Sequence, residues 1–221
     1  MKVAVIGASR GIGLELVRQY LAAGAQVTAT ARGQDDLSKL RRAGANALAL
    51  DVADAASTSA FAWGPSGAGF DVAILNAGVY GPRSEDLDVP ATEVFDAVMH
   101  TNVLGAMRML PRLAESLAPG GRLAVMSSQM GSMTLRTSHA GWLYRASKAA
   151  LNSLLKDVSI ALQGRALCVA LHPGWVRTDM GGAGADLDVA DSAAGIRLTL
   201  ARLQPADHGG FYNHDGTPLA W

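Results

Sequence analysis

The stretch Val3-Ala4-Val5-Ile6-Gly7-Ala8-Ser9-Arg10-Gly11-Ile12-Gly13 decides the fold class of this chain. Its first four residues are apolar without interruption, which is typical of a short parallel strand covered on both faces. Three glycines with G-x-x-x-G-x-G spacing follow, and they allow a tight turn. The residues Gly13–Ala23 then have the length and apolar spacing of a helix. The chain therefore begins with a strand, a glycine-rich turn and a helix.

The same alternation of strand and helix continues along the chain. Six short apolar runs predict strands, namely Val3–Ile6, Gln26–Thr30, Ala47–Leu50, Val72–Leu75, Arg122–Met126 and Ala166–Leu171. Four longer stretches predict helices, namely Gly13–Ala23, Asp35–Ala43, Ala91–Leu117 and Tyr144–Leu162. Pro111 is expected to kink or interrupt the third helix. This alternation predicts an α/β fold: a Rossmann-like, doubly wound parallel sheet with right-handed crossovers and helices on both faces.

The length of 221 residues fits one domain. Two segments depart from the regular pattern. Ser57–Gly69 is expected to be a short helix running into a loop, and the glycine-rich Gly181–Asp188 is expected to be flexible. Neither segment is long enough for an interdomain linker, so residues 1–221 are expected to form a single domain.

The composition and charge argue against several classes of function for this chain. Nineteen basic and 19 acidic residues balance to a net charge of zero, which argues against a nucleic-acid or anionic-membrane partner. No segment approaches the roughly 18 apolar residues of a membrane span. Because Met1–Ile6 is too short for a signal-peptide core, we expect a cytoplasmic protein. Cys168 is the single cysteine and the five histidines lack a metal-ligand spacing, so we expect neither a disulfide nor a metal site.

The glycine turn Gly7–Gly13 is suited to a phosphate ligand. Glycines let backbone amides approach a pyrophosphate, which then lies at the N-terminus of the following helix. The spacing differs from the commoner G-x-G-x-x-G pattern. A tight turn that binds no ligand is therefore the alternative to a dinucleotide site.

The end of the second strand bears on which dinucleotide would bind. A site selective for NAD usually places an acidic residue there, whereas an arginine suits the 2′-phosphate of NADP. This chain has Ala31-Arg32, and Arg10 in the glycine turn is expected on the same side of the site. Two guanidiniums near one phosphate would make charge-assisted contacts. We therefore expect NADP(H) in preference to NAD(H), with two solvated surface arginines as the alternative.

The segment Tyr144-Arg145-Ala146-Ser147-Lys148 holds the densest group of chemically useful side chains. Tyr144 and Lys148 are four residues apart and therefore project from one face of the predicted helix. An unperturbed tyrosine has a pKa of about 10, and a neighbouring ammonium would stabilise the phenolate and lower that pKa toward neutrality. The pair alone also fits an ordinary amphipathic helix, so its meaning depends on the rest of the chain.

Seven short blocks occur along the chain, namely Gly7-Ala8-Ser9-Arg10-Gly11-Ile12-Gly13, Leu50-Asp51-Val52, Asn76-Ala77-Gly78, Thr101-Asn102-Val103, Ser127-Ser128, Tyr144-Arg145-Ala146-Ser147-Lys148 and His172-Pro173-Gly174. In this order and approximate spacing they resemble the short-chain dehydrogenases/reductases over nearly the whole chain. The short C-terminus closing on Trp221, the long serine–tyrosine loop and the segment Gly174–Gly182 look like the C-factor and sniffer-type carbonyl reductases of that family.

The resemblance implies roles for individual residues. Tyr144 would pass a proton to the substrate oxygen, Ser128 would hydrogen-bond that oxygen, Lys148 would lower the pKa of the tyrosine, and Asn102 would hold a water in a proton relay through Lys148. The implied cofactor contacts are Gly7, Ser9, Arg10, Gly11, Ile12, Gly13, Arg32, Asp51, Val52, Asn76, Ala77, Gly78, Tyr144, Lys148, Pro173, Gly174, Val176 and Thr178.

The chain departs from the family pattern in two places. Ile6 stands where the family commonly has threonine, which removes a side-chain hydrogen bond from the glycine turn. Ser128 lies sixteen residues before Tyr144, more than in the commonest members, and Ser132, at twelve residues, is the alternative. The match of Ser127–Gly131 to the family's Ser-Ser-x-x-Gly pattern favours Ser128.

The longer loop Thr134–Leu143 is expected to line the substrate mouth. Met130, His139 and Trp142 are the candidate substrate contacts. Met130 would be part of an adaptable apolar wall, and loop packing is the alternative for His139 and Trp142. Residues 174–190 are expected to form a substrate loop, within which Gly181–Asp188 is either a lid ordered by ligand or an ordinary mobile loop.

Together these features predict an NADP(H)-dependent oxidoreductase that moves a hydride between nicotinamide and a small carbonyl or alcohol substrate. The alternative is a dinucleotide-binding redox sensor or signalling protein, C-factor-like, that acts through a protein partner. The intact set of Asn102, Ser128, Tyr144 and Lys148 speaks against a pure sensor, which needs no proton donor. The family also implies a homodimer or homotetramer built on the two long predicted helices.

Overall fold

Seven strands form one sheet in a computed structural model that describes residues 1–64 and 69–221. The strands are β1 Lys2–Ile6, β2 Gln26–Ala31, β3 Asn46–Ala49, β4 Phe70–Leu75, β5 Leu117–Met126, β6 Leu167–His172 and β7 Gly210–Asn213. Every neighbouring pair is parallel, and the spatial order is β3-β2-β1-β4-β5-β6-β7. The chain builds outward from β1 in both directions, so the sheet is doubly wound as predicted.

Helices cover both faces of this sheet. They are α1 Gly11–Ala22, α2 Gln34–Arg42, α3 Ala55–Ala60, α4 Thr92–Met99, α5 Gly105–Ser116, α6 Trp142–Ala161 and α7 Val189–Arg202. Strand β1 shows why its sequence is apolar throughout: Val3 and Val5 belong to the core beneath α1 and α7, whereas Ala4 and Ile6 belong to the core beneath α5 and α6. No helix in the described part of the chain is long and apolar enough to cross a membrane.

All six predicted strands are confirmed, but one strand and one long helix were not predicted. Strand β7 has only four residues, and Gly210 and Asn213 at its ends are poor strand formers. Helix α7 carries Gly195 in its middle, which weakens a helical pattern. A Cβ at Gly195 would lie 2.8 Å from the carbonyl oxygen of His214, so close packing against the C-terminal segment requires glycine there.

The predicted helix in Ser57–Gly69 is confirmed as α3, which begins two residues earlier. It ends at Ala60, and Asp54 caps its N-terminus by accepting a hydrogen bond from the amide of Ala56. Residues 65–68 of the predicted loop lie outside the described residues.

Pro111 does not interrupt the long predicted helix Ala91–Leu117. It lies inside α5, which continues to Ser116. The carbonyl that loses its helical partner belongs to Met107, which is 52% exposed, so water can replace the missing N–H donor. The regular helical pattern breaks instead at a π-helical turn, His100–Leu104, between α4 and α5.

The strand order places a crevice at the carboxyl ends of β1 and β4. Strand β1 pairs with β2 on one side and with β4 on the other, so the connections that follow β1 and β4 leave in opposite directions. In open α/β sheets this reversal opens a crevice at the strand ends, where ligands bind.

Substitution of Leu155 tests how much the core beneath α6 contributes to the stability of the protein. Leu155 is fully buried, so Leu155→Ala should lower the free energy of unfolding by about 2–5 kcal/mol, because it leaves a cavity between α6 and the sheet. Urea denaturation measures the change. Ile160→Ala, at a 64% exposed position of the same helix, is the matched control and should change stability by less than about 0.5 kcal/mol. Equal losses in the two variants would contradict this packing.

Candidate active site

A cavity of about 440 Å³ lies at the carboxyl ends of the strands. The glycine turn after β1 lines one part of it, and Tyr144 and Lys148 of α6 line another. Fifteen of the predicted cofactor contacts border the cavity, namely Gly7, Ser9, Arg10, Gly11, Ile12, Arg32, Asp51, Val52, Asn76, Ala77, Gly78, Tyr144, Lys148, Pro173 and Thr178. Gly13, Gly174 and Val176 are described but do not border it.

The glycine turn is held in a shape that only glycine allows. Gly7 has a φ of +85°, and a Cβ there would lie 2.7 Å from the Cα of Ala77. Asn76 donates a 2.6 Å hydrogen bond from Nδ2 to the carbonyl oxygen of Gly7. The amide of Gly7 donates to the hydroxyl of Thr30 on β2, at 3.1 Å. Thr30 therefore gives the turn a side-chain hydrogen bond, although Ile6 cannot.

Both arginines of the predicted phosphate site border the same cavity, but each also contacts a carboxylate. Arg10 forms an ion pair with Asp179, and Nη1 of Arg32 lies 3.8 Å from Oδ2 of Asp51. The two guanidiniums are largely exposed, so they are at the rim of the cavity. A guanidinium has five donors, and these single contacts leave donors for another anion.

Tyr144, Ser128 and Lys148 come together at the start of α6. All three are buried, and Ser128 lies close enough to Tyr144 for a hydrogen bond between the two hydroxyls to lower the pKa of the tyrosine. Nζ of Lys148 lies 5.6 Å from the centroid of the tyrosine ring and donates a 2.7 Å hydrogen bond to the carbonyl oxygen of Met126, at the end of β5. A phenol and an ammonium that border a cavity, with a second hydroxyl beside the phenol, can orient a polar substrate and exchange a proton with it.

The pKa values in this cluster follow from burial. Burial raises the pKa of Tyr144 well above its ordinary value, and the hydrogen bond with Ser128 opposes that shift. Burial lowers the pKa of Lys148 to about 8. The protein groups alone therefore keep Tyr144 protonated, and the lowering expected from Lys148 does not outweigh the burial of the phenol.

Asn102 lies in the π-helical turn and uses its side chain to fix a neighbouring loop. Its Oδ1 accepts a 2.8 Å hydrogen bond from the amide of Val79, and its Nδ2 donates to the carbonyl oxygen of Val79 and to the hydroxyl of Ser147. One acceptor position of Oδ1 is left. A Cβ at Gly78 would lie 3.2 Å from this oxygen and 3.3 Å from Nζ of Lys148, so both atoms face the same small space.

Comparison with known proteins identifies the family. Residues 1–186 match the short chain dehydrogenase family. The chain belongs to this family. It is therefore an NAD(P)-dependent oxidoreductase.

Three similar proteins illustrate the range of this family. The C-signal protein of Myxococcus xanthus is 37% identical over 154 residues, which cover 68% of this chain and 92% of that protein. The carbonyl reductase Sniffer of D. melanogaster has a TM-score of 0.85 and 32% identity, covering 100% of this chain and 99% of its own. A carbonyl reductase from Pseudomonas aeruginosa PAO1, solved in complex with NADP, has a TM-score of 0.86 and 37% identity, with the same coverage.

In this short-chain dehydrogenase the structure places Ser128, and not Ser132, beside the tyrosine. Ser132 is fully buried on the other side of its loop, where its hydroxyl donates to the carbonyl oxygen of Ala220 and accepts from the amide of Leu135. Gly131 brings the loop against α6, since a Cβ there would lie 2.9 Å from the Cβ of Lys148.

The three candidate substrate contacts are not brought together. Met130 packs near the start of α6, where its Cε would lie 3.2 Å from a Cβ at Gly141. His139 and Trp142 line a separate surface pocket of about 410 Å³, and the indole of Trp142 donates to the carbonyl oxygen of Asp88. Their role as substrate contacts stays a prediction.

The segment 174–190 reaches the cavity through part of its length. Arg177, Thr178 and Met180 border the cavity, and the segment is folded onto itself by a bridge between Val176 and Leu187. Within it, Arg177 forms an ion pair with Asp188 at 2.7 Å. These contacts describe how the segment is folded in this structure. The role of Gly181–Asp188 as a lid stays a prediction.

Four residues of the site were not predicted as functional. Thr30 contacts the glycine turn and Asp179 contacts its arginine, whereas Tyr80 is stacked on Tyr144 and Arg83 lies over the ring of Tyr80. Tyr80 follows the block Asn76-Ala77-Gly78 by two residues, and this position next to a recognised motif is the one signal that singles it out.

The buried ammonium of Lys148 predicts a pH-dependent stability. An unfolded lysine takes up its proton at higher pH than Lys148, so the contribution of Lys148 to the unfolding free energy decreases as the pH falls from about 10.5 to about 8 and changes little below that. Relative to Lys148→Met, the unfolding free energy of the wild type should rise by an amount on the order of 3 kcal/mol from pH 8 to pH 10.5. Urea denaturation across this range measures it.

Lys156→Met, on the exposed face of the same helix, is the control for this experiment. It should reproduce the wild-type dependence on pH. A parallel pH dependence in the wild type and Lys148→Met would show that the ammonium is not buried as described.

Proposed function

We propose that this short-chain dehydrogenase uses NADP(H), in preference to NAD(H), to reduce a small carbonyl compound or to oxidise the matching alcohol. One observation carries the proposal: Tyr144 and Lys148 border the same cavity as the glycine turn and two arginines, and Ser128 lies beside Tyr144. The similarity to carbonyl reductases over the whole chain supports the substrate class.

The residues present fit a dinucleotide. The glycine turn leaves no room for a Cβ at Gly7 or Gly13, so its backbone is tightly packed against Ala77 and Asn76, and Gly7 and Gly11 of the turn border the cavity. Among residues 1–64 and 69–221, no side chain caps the N-terminus of α1, and the amides of its first turn can bind a pyrophosphate. The cofactor's nicotinamide end would then lie toward Lys148 and Thr178, which border the same cavity.

The two arginines support the preference for NADP(H). Arg32 directly follows β2, where an NAD-selective site usually has a carboxylate, and Arg10 borders the same cavity. Their contacts with Asp51 and Asp179 occupy only part of the hydrogen-bond donors of each guanidinium. A 2′-phosphate would be recognised by the remaining donors.

Tyr144 would act as the proton donor in the reduction. When bound, NADPH supplies the hydride, which goes to the carbonyl carbon. Ser128 would donate a hydrogen bond to the carbonyl oxygen, and the hydroxyl of Tyr144 would give its proton to the same oxygen, so that an alcohol forms. Burial keeps Tyr144 protonated before this step. Lys148 would stabilise the phenolate that remains until a proton returns from solvent.

The space beside Gly78 supports a route for that returning proton. Oδ1 of Asn102 and Nζ of Lys148 both face this space, and the ammonium is the only one of the two that can give up a proton. We infer that a water there would pass protons to Lys148 and then to Tyr144. The hydrogen bonds of Asn102 to Val79 keep its oxygen directed at this point.

A signalling role is the second candidate. It rests on the 37% identity with the C-signal protein over two thirds of this chain. In that case the cofactor site would report the redox state of the nicotinamide pool to a protein partner.

Tyr144→Phe distinguishes the two candidates. Removing the hydroxyl should lower kcat by about 10²- to 10⁴-fold, because the proton donor is lost, while NADPH binding, followed by tryptophan quenching, persists. The assay follows NADPH consumption with a panel of aldehydes, ketones and quinones. Tyr212→Phe removes a hydroxyl bonded to Asp207, away from the cavity, and should keep full activity. Tight NADPH binding without turnover of any carbonyl by the wild type would contradict the reductase and favour the sensor.

Arg32→Ala tests the choice of dinucleotide. Loss of a charge-assisted contact should raise the KM for NADPH by about 10- to 100-fold and leave the KM for NADH unchanged, since NADH has no 2′-phosphate. Steady-state kinetics with both cofactors measures the ratio. Arg18→Ala, which removes the partner of Glu15 on α1, is the control and should leave both values unchanged. Equal effects on the two cofactors would refute a role in 2′-phosphate binding.

A further inference from the structure

Tyr80 is stacked on the tyrosine proposed as the proton donor. The rings of Tyr80 and Tyr144 have centroids 4.5 Å apart and planes 25° apart. The guanidinium of Arg83 lies 5.4 Å from the centroid of Tyr80. We call Arg83, Tyr80 and Tyr144 the tyrosine stack.

The backbone before Tyr80 is fixed from both sides. Asn102 hydrogen-bonds the amide and the carbonyl of Val79, each at 2.8 Å, so the chain cannot rotate freely just before Tyr80. Asn102 is itself buried in the π-helical turn, and a third hydrogen bond from its side chain, to Ser147 on α6, holds it in place. The geometry of Tyr80 is thus set by the same residue that faces Lys148.

The hydroxyl end of Tyr80 is fixed by Gly141, immediately before α6. Gly141 has a φ of +69°, and a Cβ there would collide with the hydroxyl of Tyr80. The amide of Gly141 donates a 2.9 Å hydrogen bond to the carbonyl oxygen of Ser84. The loop that carries Tyr80 is therefore packed against the N-terminus of the helix that carries Tyr144.

Arg83 connects the tyrosine stack to the far side of the cavity. Its Nη2 donates a 3.0 Å hydrogen bond to the carbonyl oxygen of Met180, which borders the cavity. The cation lies over one ring and also holds the segment 174–190. The loop that carries Tyr80 is thus connected to the segment 174–190 as well as to the start of α6.

We propose that Tyr80 is a positioning residue for Tyr144, and that Arg83 secures it. This inference rests on the proposed reductase function. A planar ring stacked on Tyr144 restricts rotation about its side-chain bonds and thereby directs the hydroxyl toward Ser128 and the substrate oxygen. Tyr80 acts through Tyr144 and contributes no proton, so its aromatic ring is required and its own hydroxyl is not.

The kinetic test compares Tyr80→Leu with Tyr80→Phe. Tyr80→Leu keeps an apolar side chain but removes the ring, and kcat should fall on the order of 10- to 100-fold, with NADPH affinity unchanged. Tyr80→Phe keeps the ring and should retain the wild-type kcat. Single-turnover oxidation of NADPH, with a carbonyl substrate of the wild type, measures the rate.

Tyr20→Leu is the matched control. Tyr20 is buried and also lies beneath a guanidinium, that of Arg197 at 4.9 Å, but it packs between α1 and α7 away from Tyr144. The same substitution there should lower the melting temperature without lowering kcat. A general loss of stability would slow both leucine variants, whereas a positioning role slows only Tyr80→Leu.

A spectroscopic measurement tests the tyrosine stack independently of activity. The chain has four tyrosines, so a ¹³C-tyrosine-labelled sample gives few ring signals, and Tyr144→Phe assigns that of Tyr144. Stacking should shift the Tyr144 signal upfield in the wild type and in Tyr80→Phe, and Tyr80→Leu should abolish the shift. Arg83→Met, at an exposed position, should also reduce both the shift and kcat. It replaces Tyr80→Leu as the test variant if Tyr80→Leu does not fold.

The outcomes separate the two proposals. The positioning role would be overturned, and the reductase left intact, if the wild type turns over a carbonyl and folded Tyr80→Leu has an unchanged kcat. If only Arg83→Met folds, an unchanged kcat in that variant has the same meaning. No turnover of any carbonyl by the wild type would instead overturn the reductase, and the positioning role with it. A slow Tyr80→Leu, an active Tyr80→Phe and an active Tyr20→Leu would establish the positioning role.

Discussion

The buried ammonium of Lys148 is the constraint on which the rest of the site depends. A charge removed from water is tolerated only where hydrogen-bond partners and nearby dipoles replace the solvent. Here the carbonyl oxygen of Met126 accepts from Nζ, and Gly78 and Gly131 allow the chain to pack against the lysine on two sides. The end of β5, the end of β4 and helix α6 must therefore keep a fixed spacing, and this spacing also brings Ser128 to Tyr144.

The π-helical turn gives Asn102 its position between two parts of the site. An extra residue in the turn of a helix changes the direction of the side chains there, and such turns are common at functional sites. Asn102 points inward, reaches Ser147 on α6 and holds Val79 on the loop after β4. The same side chain thus supports the helix that carries Tyr144 and the loop that carries Tyr80, so the tyrosine stack and the lysine site are mechanically connected.

The glycine turn and the catalytic cluster differ in how closely each is packed. Gly7 and Asn76 fix the turn by contacts between backbone and one side chain, whereas Arg10 and Arg32 stand at an exposed rim. A cofactor would therefore be bound by a rigid glycine turn and by exposed arginine side chains that can change conformation. Around Tyr144 the side chains are buried and have few alternative arrangements, which suits a step that requires alignment of a proton donor.

The sequence by itself determined the parts that depend on neighbours along the chain. Apolar runs between helical stretches predicted six strands and the doubly wound sheet, and the spacing of Tyr144 and Lys148 placed both on one helix face. Only the tertiary structure decided which loops meet. Tyr80 contacts Tyr144 across 64 residues, whereas His139 and Trp142 lie close to Tyr144 in sequence but in a separate pocket. Helical and strand periodicity describes one element at a time, and contacts between loops depend on how all the elements pack.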